Sequence, residues 1–360
     1  MDNKWLDNSS EVRKGEEIDL SRLKDYLSRE LPEFSGAYEL RQFPRGFSNL
    51  TYLLKIGDHE FVMRRPPHGA NIKSAHDMGR EYKILQALSK TYPKAPKPYI
   101  YCEDLEVMGS PFYIMERVKG VILRPKMPKE MIPDADTMRG IAEGLVDTLV
   151  ELHEVDYRSA GLGDLGKPEG YVERQITGWT RRYFKSKTDD IQAIEHVAKW
   201  LNDNIPGETS PSLIHNDYKY DNLVLDSKDW TKVIAVLDWE MTTIGDPLMD
   251  LGTTIGYWVN ADDPDWVRSL ALSPTTLPGN PSREEVVHMY SLKSGKDVGN
   301  VVFYYVYGIF KVAVIAQQIY YRYKHGFTND DRFAPLIDAV KGLGMIASQA
   351  IAHKRIDRLF

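Results

Sequence analysis

Between Leu213 and Glu240 the chain reads LIHNDYKYDNLVL, a polar stretch, then VIAVLDWE. Two short apolar runs, Leu223–Leu225 and Val233–Leu237, interrupt a half of the sequence whose patterning is otherwise helical. Runs this short and rich in branched residues fit strands rather than helices. If the two strands pair antiparallel, Asn222 just before the first and Asp238 just after the second meet at the same end of the hairpin. Asp217, five residues before Asn222, lies on the incoming loop. Taken singly, an Asp in a loop reads as a turn residue and an Asn beside a strand as a cap. A hairpin that gathers an amide and two carboxylates is a more specific arrangement.

Such hard oxygen donors suit Mg2+, which takes one or two side chains and fills its remaining positions with substrate phosphates. Asp217 is then free to orient or deprotonate an attacking hydroxyl. The order His-x-Asp-x-x-x-x-Asn, apolar strand, Asp at the close of a second strand has the form of the catalytic loop and metal-binding Asp of the kinase fold.

The surrounding patterning supplies a frame. Residues 1–34 are charged, with one amphipathic piece around Leu20–Leu31 that reads as a leader helix, and they lack the apolar core of a signal peptide. Short strands are predicted at Tyr38–Phe43, Leu50–Ile56 and His59–Arg64, with Gly57-Asp58 as a two-residue hairpin turn. A helix is predicted over Ala75–Ser89. Pro93, Pro96 and Pro98 then punctuate a loop, and Phe112–Val118 reads as another strand. Beyond Gly120 helical spacing dominates. It runs first through Met138, Ile141, Leu145, Leu149 and Leu152, then near 171–186, 189–204, 282–293, 298–324 and 332–353. The run Val301–Tyr323 is apolar enough to suggest a membrane span, but Lys311, Gln317, Gln318 and Arg322 interrupt it and favour a buried helix.

The 360 residues are 42% hydrophobic and 27% charged, an ordinary globular balance that excludes disordered, collagen-like and disulfide-scaffold classes. Lone Cys102 fits a reducing compartment, and a cytoplasmic location is the expectation. The net charge of −6 falls entirely after Val118. An acidic surface argues against nucleic acid or an anionic membrane as partner. The chain has no Gly-x-x-x-x-Gly-Lys-[Ser/Thr] P-loop and no zinc-spaced Cys/His cluster.

His215-Asn-Asp217-Tyr-Lys-Tyr-Asp-Asn222 and Asp238-Trp-Glu240 resemble the aminoglycoside phosphotransferase and choline kinase superfamily of small-molecule kinases. Gly46-Phe-Ser-Asn-Leu-Thr-Tyr52, Val62-Met-Arg-Arg-Pro-Pro67, Arg174-Gln175 with Trp179, and Gly245-Asp-Pro-Leu-Met-Asp-Leu-Gly252 look most like the phosphotransferase-like domain fused to some acyl-CoA dehydrogenases. The resemblance spans roughly 35–350. It implies an α+β, protein-kinase-like bilobal fold: a leader region at 1–34, a small antiparallel β-rich N-lobe at 35–118, and a larger α-helical C-lobe at 119–360.

The resemblance also distributes roles. ATP and Mg2+ would be the cofactors, and the transferred group the γ-phosphoryl. Asp217 would be the base and Lys219 would neutralise the phosphoryl group. Asn222 and Asp238 would hold the metal. Gly46, Ser48 and Asn49 would lie in the phosphate-covering loop. Arg64 would stand where the family carries a Lys, and Glu81, on the inward stripe of its helix, should be its partner, with Arg65 as the competing cation. Val62 and Val224 would sandwich adenine, and Glu116 and Val118 would offer backbone hydrogen bonds to it. Asp246 reads as the N-cap before Pro247, Asp250 would anchor the catalytic loop from beneath, and His153 reads as a helix-end cap.

With Asp238-Trp-Glu in place of Asp-Phe-Gly and Gly245-Asp-Pro following at once, there is no room for an activation loop, so a small-molecule hydroxyl acceptor is expected. Arg174, Trp179, Arg181 and Arg182 suit an acidic acceptor such as a hydroxyacyl thioester. The acidic excess of the same lobe suits a cationic aminoglycoside or choline. Arg64 in place of Lys leaves open a nucleotide-binding pseudokinase. Neither ATP against GTP nor the oligomeric state is fixed by these residues.

Overall fold

A computed structural model describes residues 6–43, 49–67, 77–270, 272–328 and 330–360. In chain order the elements are α1 (Leu20–Glu30), β1 (Tyr38–Gln42), β2 (Leu50–Ile56), β3 (His59–Arg65), α2 (Met78–Leu88), β4 (Pro98–Cys102), α3 (Leu105–Met108), β5 (Phe112–Glu116), α4 (Ala135–His153), α5 (Tyr171–Ser186), α6 (Gln192–Asp203), β6 (Ser212–Ile214), β7 (Leu223–Leu225), β8 (Val233–Val236), β9 (Thr243–Gly245), α7 (Pro247–Gly256), α8 (Asp265–Arg268), α9 (Arg283–Ser294), α10 (Val301–Lys324) and α11 (Leu336–His353). This is the expected α+β, kinase-like architecture, strands first and helices after.

Contacts divide the chain into two compact units. The first comprises Met1–Ile122, Arg158–Leu162 and Leu223–Thr242, and the second the remainder. In the first, an antiparallel sheet runs in the order β1-β2-β3-β5-β4. The Gly57-Asp58 turn joins β2 to β3 with Ile56 opposite His59, and Gly57 takes a positive φ of 59° against the Ser35 carbonyl. One sheet face packs on α1 through Leu23, Leu27, Leu54, Phe61 and Phe112. Helix α2 begins at its Asp77 cap and buries Glu81 together with Ile84, Leu85 and Leu88. The proline-punctuated loop is shorter than expected, since β4 occupies Pro98–Cys102. As an edge strand pairing only with β5, it tolerates Pro98 at its start.

The β7–β8 hairpin groups with this first unit rather than with the helices that flank it in sequence. Val121 exchanges backbone hydrogen bonds with Leu225, and Val236 N–H donates to the Lys94 carbonyl at 2.8 Å. Val224, Ala235 and Ile122 form a small core on which Val118 and Leu237 pack.

The second unit is built around α10, which packs on α7, α11, α5 and α6. Among the described residues it is the one helix long and apolar enough to cross a membrane, and 78% of its most apolar window is buried inside the protein. Its approach to α7 depends on three glycines, Gly252, Gly256 and Gly308. A Cβ at Gly308 would overlap the Gly252 carbonyl oxygen, and one at Gly252 would overlap the Tyr304 backbone. A short pair, β6 with β9, lies beneath α4 and α7 and had no sequence signal of its own. Gly308→Ala is expected to lower the unfolding free energy by about 2–3 kcal/mol. Urea titration checks this, and an unchanged midpoint would mean that the two helices are not locked at this contact.

Candidate active site

In the second unit the catalytic loop follows β6. Buried Asp250, in the first turns of α7, accepts the amide of His215 at 2.7 Å on one carboxylate oxygen and that of Asn216 at 2.7 Å on the other. Asn216 takes a left-handed φ of 67°, which Asn tolerates better than most residues. Its side-chain oxygen accepts the Tyr171 hydroxyl at 3.1 Å. Asp250 therefore does anchor the loop, as the resemblance implies. Burial alone would raise its carboxyl pKa, but the His153 hydrogen bond, the histidine charges and the His215 amide hold it below the usual carboxylate value.

His153 stands in the last turn of α4, the helix-end position expected of it. It is buried, with Nε2 3.2 Å from Asp250 and Nδ1 2.8 Å from the Tyr290 hydroxyl. The cap at Asp246 is present: its side chain accepts Leu248 N–H at 2.8 Å ahead of Pro247, and also the Tyr304 hydroxyl at 2.9 Å.

Asp217, the residue after the left-handed turn, keeps 19% of its side chain exposed, against none for Asp250. One of the two carboxylates is thus reachable and the other internal. Lys219 Nζ pairs with Asp217 and lies 4.8 Å from the Tyr257 ring centroid. Burial would strip the lysine of its proton, but Asp217 and its neighbours hold it well above the ordinary value. Asn222 donates to the Asp217 carbonyl at 2.8 Å and to its carboxylate at 3.1 Å. Asp217, Lys219 and Asn222 therefore form one hydrogen-bonded group. Tyr257 beside this group and Lys311, whose ammonium donates to the Asn216 carbonyl, were not singled out from sequence.

The first unit carries the remaining expected residues. Arg64 Nη1 is 2.5 Å from Glu81 Oε1, so the pairing with Arg64 is the one formed. Arg65 turns to the Tyr52 hydroxyl and the Glu16 carbonyl instead. Arg64 Nη2 also reaches Asp238 at 3.0 Å and Glu240 at 3.5 Å. Burial opposes the guanidinium charge, but Glu81 and the other acids hold it on firmly. Burial pushes Glu81 up despite Arg64. Asp238 sits at φ 68°, again left-handed. Asn49 Nδ2 donates to Glu240 at 2.7 Å. Val62 is in mid-β3 opposite Leu53 and Met115, Glu116 ends β5, and Val118 packs with Val224. In β7–β8, Leu223 pairs with Val236 and Val224 with Ala235, so the two strands are antiparallel as expected. Gly46 and Ser48 lie outside the described residues.

One guanidinium among three carboxylates leaves a negative surplus, which suits a divalent cation. Among the described residues no three His, Cys, Asp or Glu side chains form a self-contained metal cage. A cation here would complete its shell with phosphate oxygens and water, the habit of Mg2+.

The phosphotransferase enzyme family matches residues 39–284, and the chain belongs to it. A chicken relative, acyl-CoA dehydrogenase family member 11, is 35% identical over 98% of this chain but only 47% of its own length, so the chain spans about half of that protein. A crystal structure from Ralstonia eutropha, provisionally assigned as an aminoglycoside phosphotransferase, is 30% identical with a TM-score of 0.77, covering 91% of this chain and 96% of that one. Choline kinase from Cryptosporidium parvum shares the fold at 12% identity and a TM-score of 0.63, over 95% and 98% of the two chains. So does an aminoglycoside phosphotransferase solved with AMP-PNP and hygromycin B, at 15% and 0.55, over 89% and 98%.

Asp250→Asn should cost about 3 kcal/mol at neutral pH, because one face of the amide offers hydrogens to backbone N–H groups that need an acceptor. Since the folded carboxyl pKa is depressed, the wild-type advantage is present above the unfolded value of about 3.9 and is lost as pH falls through the lower folded value. Denaturant midpoints for both proteins between pH 2.5 and 7 check this. A difference that stays constant down to pH 2.5 would contradict it.

Proposed function

We propose that this protein is a Mg·ATP-dependent kinase that moves the γ-phosphoryl group to a hydroxyl of a small molecule. The observation that carries the reading is the Asp217 group: a reachable carboxylate, fixed through Asp250, with Lys219 and Asn222 bonded to it. In this reading Asp217 aligns the acceptor hydroxyl and takes its proton as the oxygen–phosphorus bond forms. Lys219 offsets charge on the transferred oxygens. Asn222 and Asp238 hold Mg2+, which neutralises charge on the phosphates when bound. Arg64, set by Glu81, grips phosphate together with Asn49 and the Gly46–Ser48 loop. Val62 and Val224 face adenine, and Glu116 and Val118 bind its edge.

Helix α5 supports an acid-bearing acceptor of hydroxyacyl type. Trp179 is buried, with the Arg182 guanidinium 4.6 Å from its ring centroid. A guanidinium on this aromatic surface favours an anionic group on the acceptor. Arg174 does not belong to this set, since it folds back on the Glu169 and Lys167 carbonyls. The acidic surplus of the C-terminal part keeps a second reading, an aminoglycoside kinase, in the test. A cytoplasmic setting suits the single, buried Cys102.

Thermal unfolding with ATP and with GTP, each with and without Mg2+, tests the nucleotide site. A ligand at about 100 times its Kd raises stability by about 2.7 kcal/mol. Turnover against hydroxyacyl-CoA esters, choline and aminoglycosides then tests the acceptor. Asp217→Asn should reduce transfer by about 10²–10⁴-fold with nucleotide binding kept, whereas Asp238→Ala should weaken Mg·ATP binding itself. No metal-dependent shift with either nucleotide would make the protein a pseudokinase. Transfer to aminoglycosides alone would select the second reading.

A further inference from the structure

Lysine is almost never fully buried without a carboxylate partner, because desolvating an ammonium is costly. Lys311 is such a case. It lies in the middle of apolar α10, 2% exposed, and among the described residues no carboxylate is within ion-pair distance of it. Burial brings its pKa down to about 8. Its hydrogen bond goes to the carbonyl of Asn216, the residue before Asp217.

The lysine is placed there by its helix. Tyr304, Gly308 and Lys311 follow one another at i, i+4 and i+7, on one stripe of α10. Tyr304 holds the Asp246 cap of α7 at 2.9 Å, and Gly308 meets the backbone of Gly252. One turn further, Lys311 reaches the loop. The left-handed Asn216 is thereby gripped at three points: its amide by Asp250, its side chain by Tyr171 and its carbonyl by Lys311. Asp250 and Tyr171 do not touch the Asn216–Asp217 peptide itself; its N–H donates to His215 Nδ1 at 3.3 Å, and Lys311 holds its carbonyl.

We propose that Lys311 is a positioning residue of the transfer site, whose ammonium fixes the Asn216–Asp217 peptide and so the direction in which the Asp217 carboxylate faces the acceptor hydroxyl. This rests on the reading of Asp217 as the base. An ammonium buried in an apolar helix is costly for the fold even with Asp217 and Asp250 near enough to support its charge, and the tether it provides is the function set against that cost.

The test compares the whole wild-type chain with Lys311→Met, which fills the same space without charge or donor, and with Lys311→Gln, which keeps a donor. Amide hydrogen exchange over residues 213–222 should accelerate at least tenfold in the Met variant, while exchange elsewhere and the melting temperature hold or improve. With Mg·ATP and water as acceptor, kcat should fall at least tenfold with KM for ATP unchanged, and Lys311→Gln should recover part of both effects. Unchanged exchange over 213–222 overturns the proposal whether or not the protein transfers phosphate. Faster exchange with unchanged kcat overturns its functional half, and equal turnover in Asp217→Asn identifies the failure as that of the base assignment. Loss of folding in both variants also overturns it, since the role is then structural.

Discussion

Asp250 is the side chain on which the catalytic loop depends. A loop that turns through a left-handed residue leaves two successive amides pointing the same way, and buried amides must find acceptors. One carboxylate with two oxygens satisfies both. That requirement fixes the place of α7, which presents Asp250, and accounts for the polar shell of His153, Tyr290 and Tyr171 around it. It also explains why the carboxylate stays ionised in a place that excludes water: two backbone amides and the His153 ring offset what burial takes away. The loop's outward acid, Asp217, owes its orientation to an inward one.

Arg64 plays a different part in the first unit. It is a single positive charge that holds together Glu81 from α2, Asp238 after β8, and Glu240. A lysine could serve as a point charge for one of them. The guanidinium reaches acids on separate elements through separate nitrogens. The substitution that invites a pseudokinase reading therefore has a geometric use, since the planar fork fixes α2 and the 238–240 turn together.

The strands, the hairpin and the long helices were legible in the sequence because their periodicity is strong and their turns carry Gly, Pro or Asp. The Arg64–Glu81 pair was legible because a carboxylate on the inward stripe of α2 demands a cation. β4 was hidden because proline reads as a breaker, and only the sheet order shows that Pro98 is at an edge. The His153–Asp250 contact was hidden because a histidine at a helix end looks only like a dipole partner until the residue it meets is known from elsewhere in the chain. Lys311 was visible only as an interruption of an apolar run. Nothing local tells a lysine that tolerates burial from one that is held by a carbonyl 95 residues away.

The Gly252–Gly308 contact has a consequence for how the chain is made. The loop and α7 leave the ribosome well before α10, so for the synthesis of some fifty residues the small-residue face of α7 has no partner. That face is too narrow for a helix bearing a side chain at the crossing. The helical unit therefore closes at this crossing only after the Gly308 segment has been made.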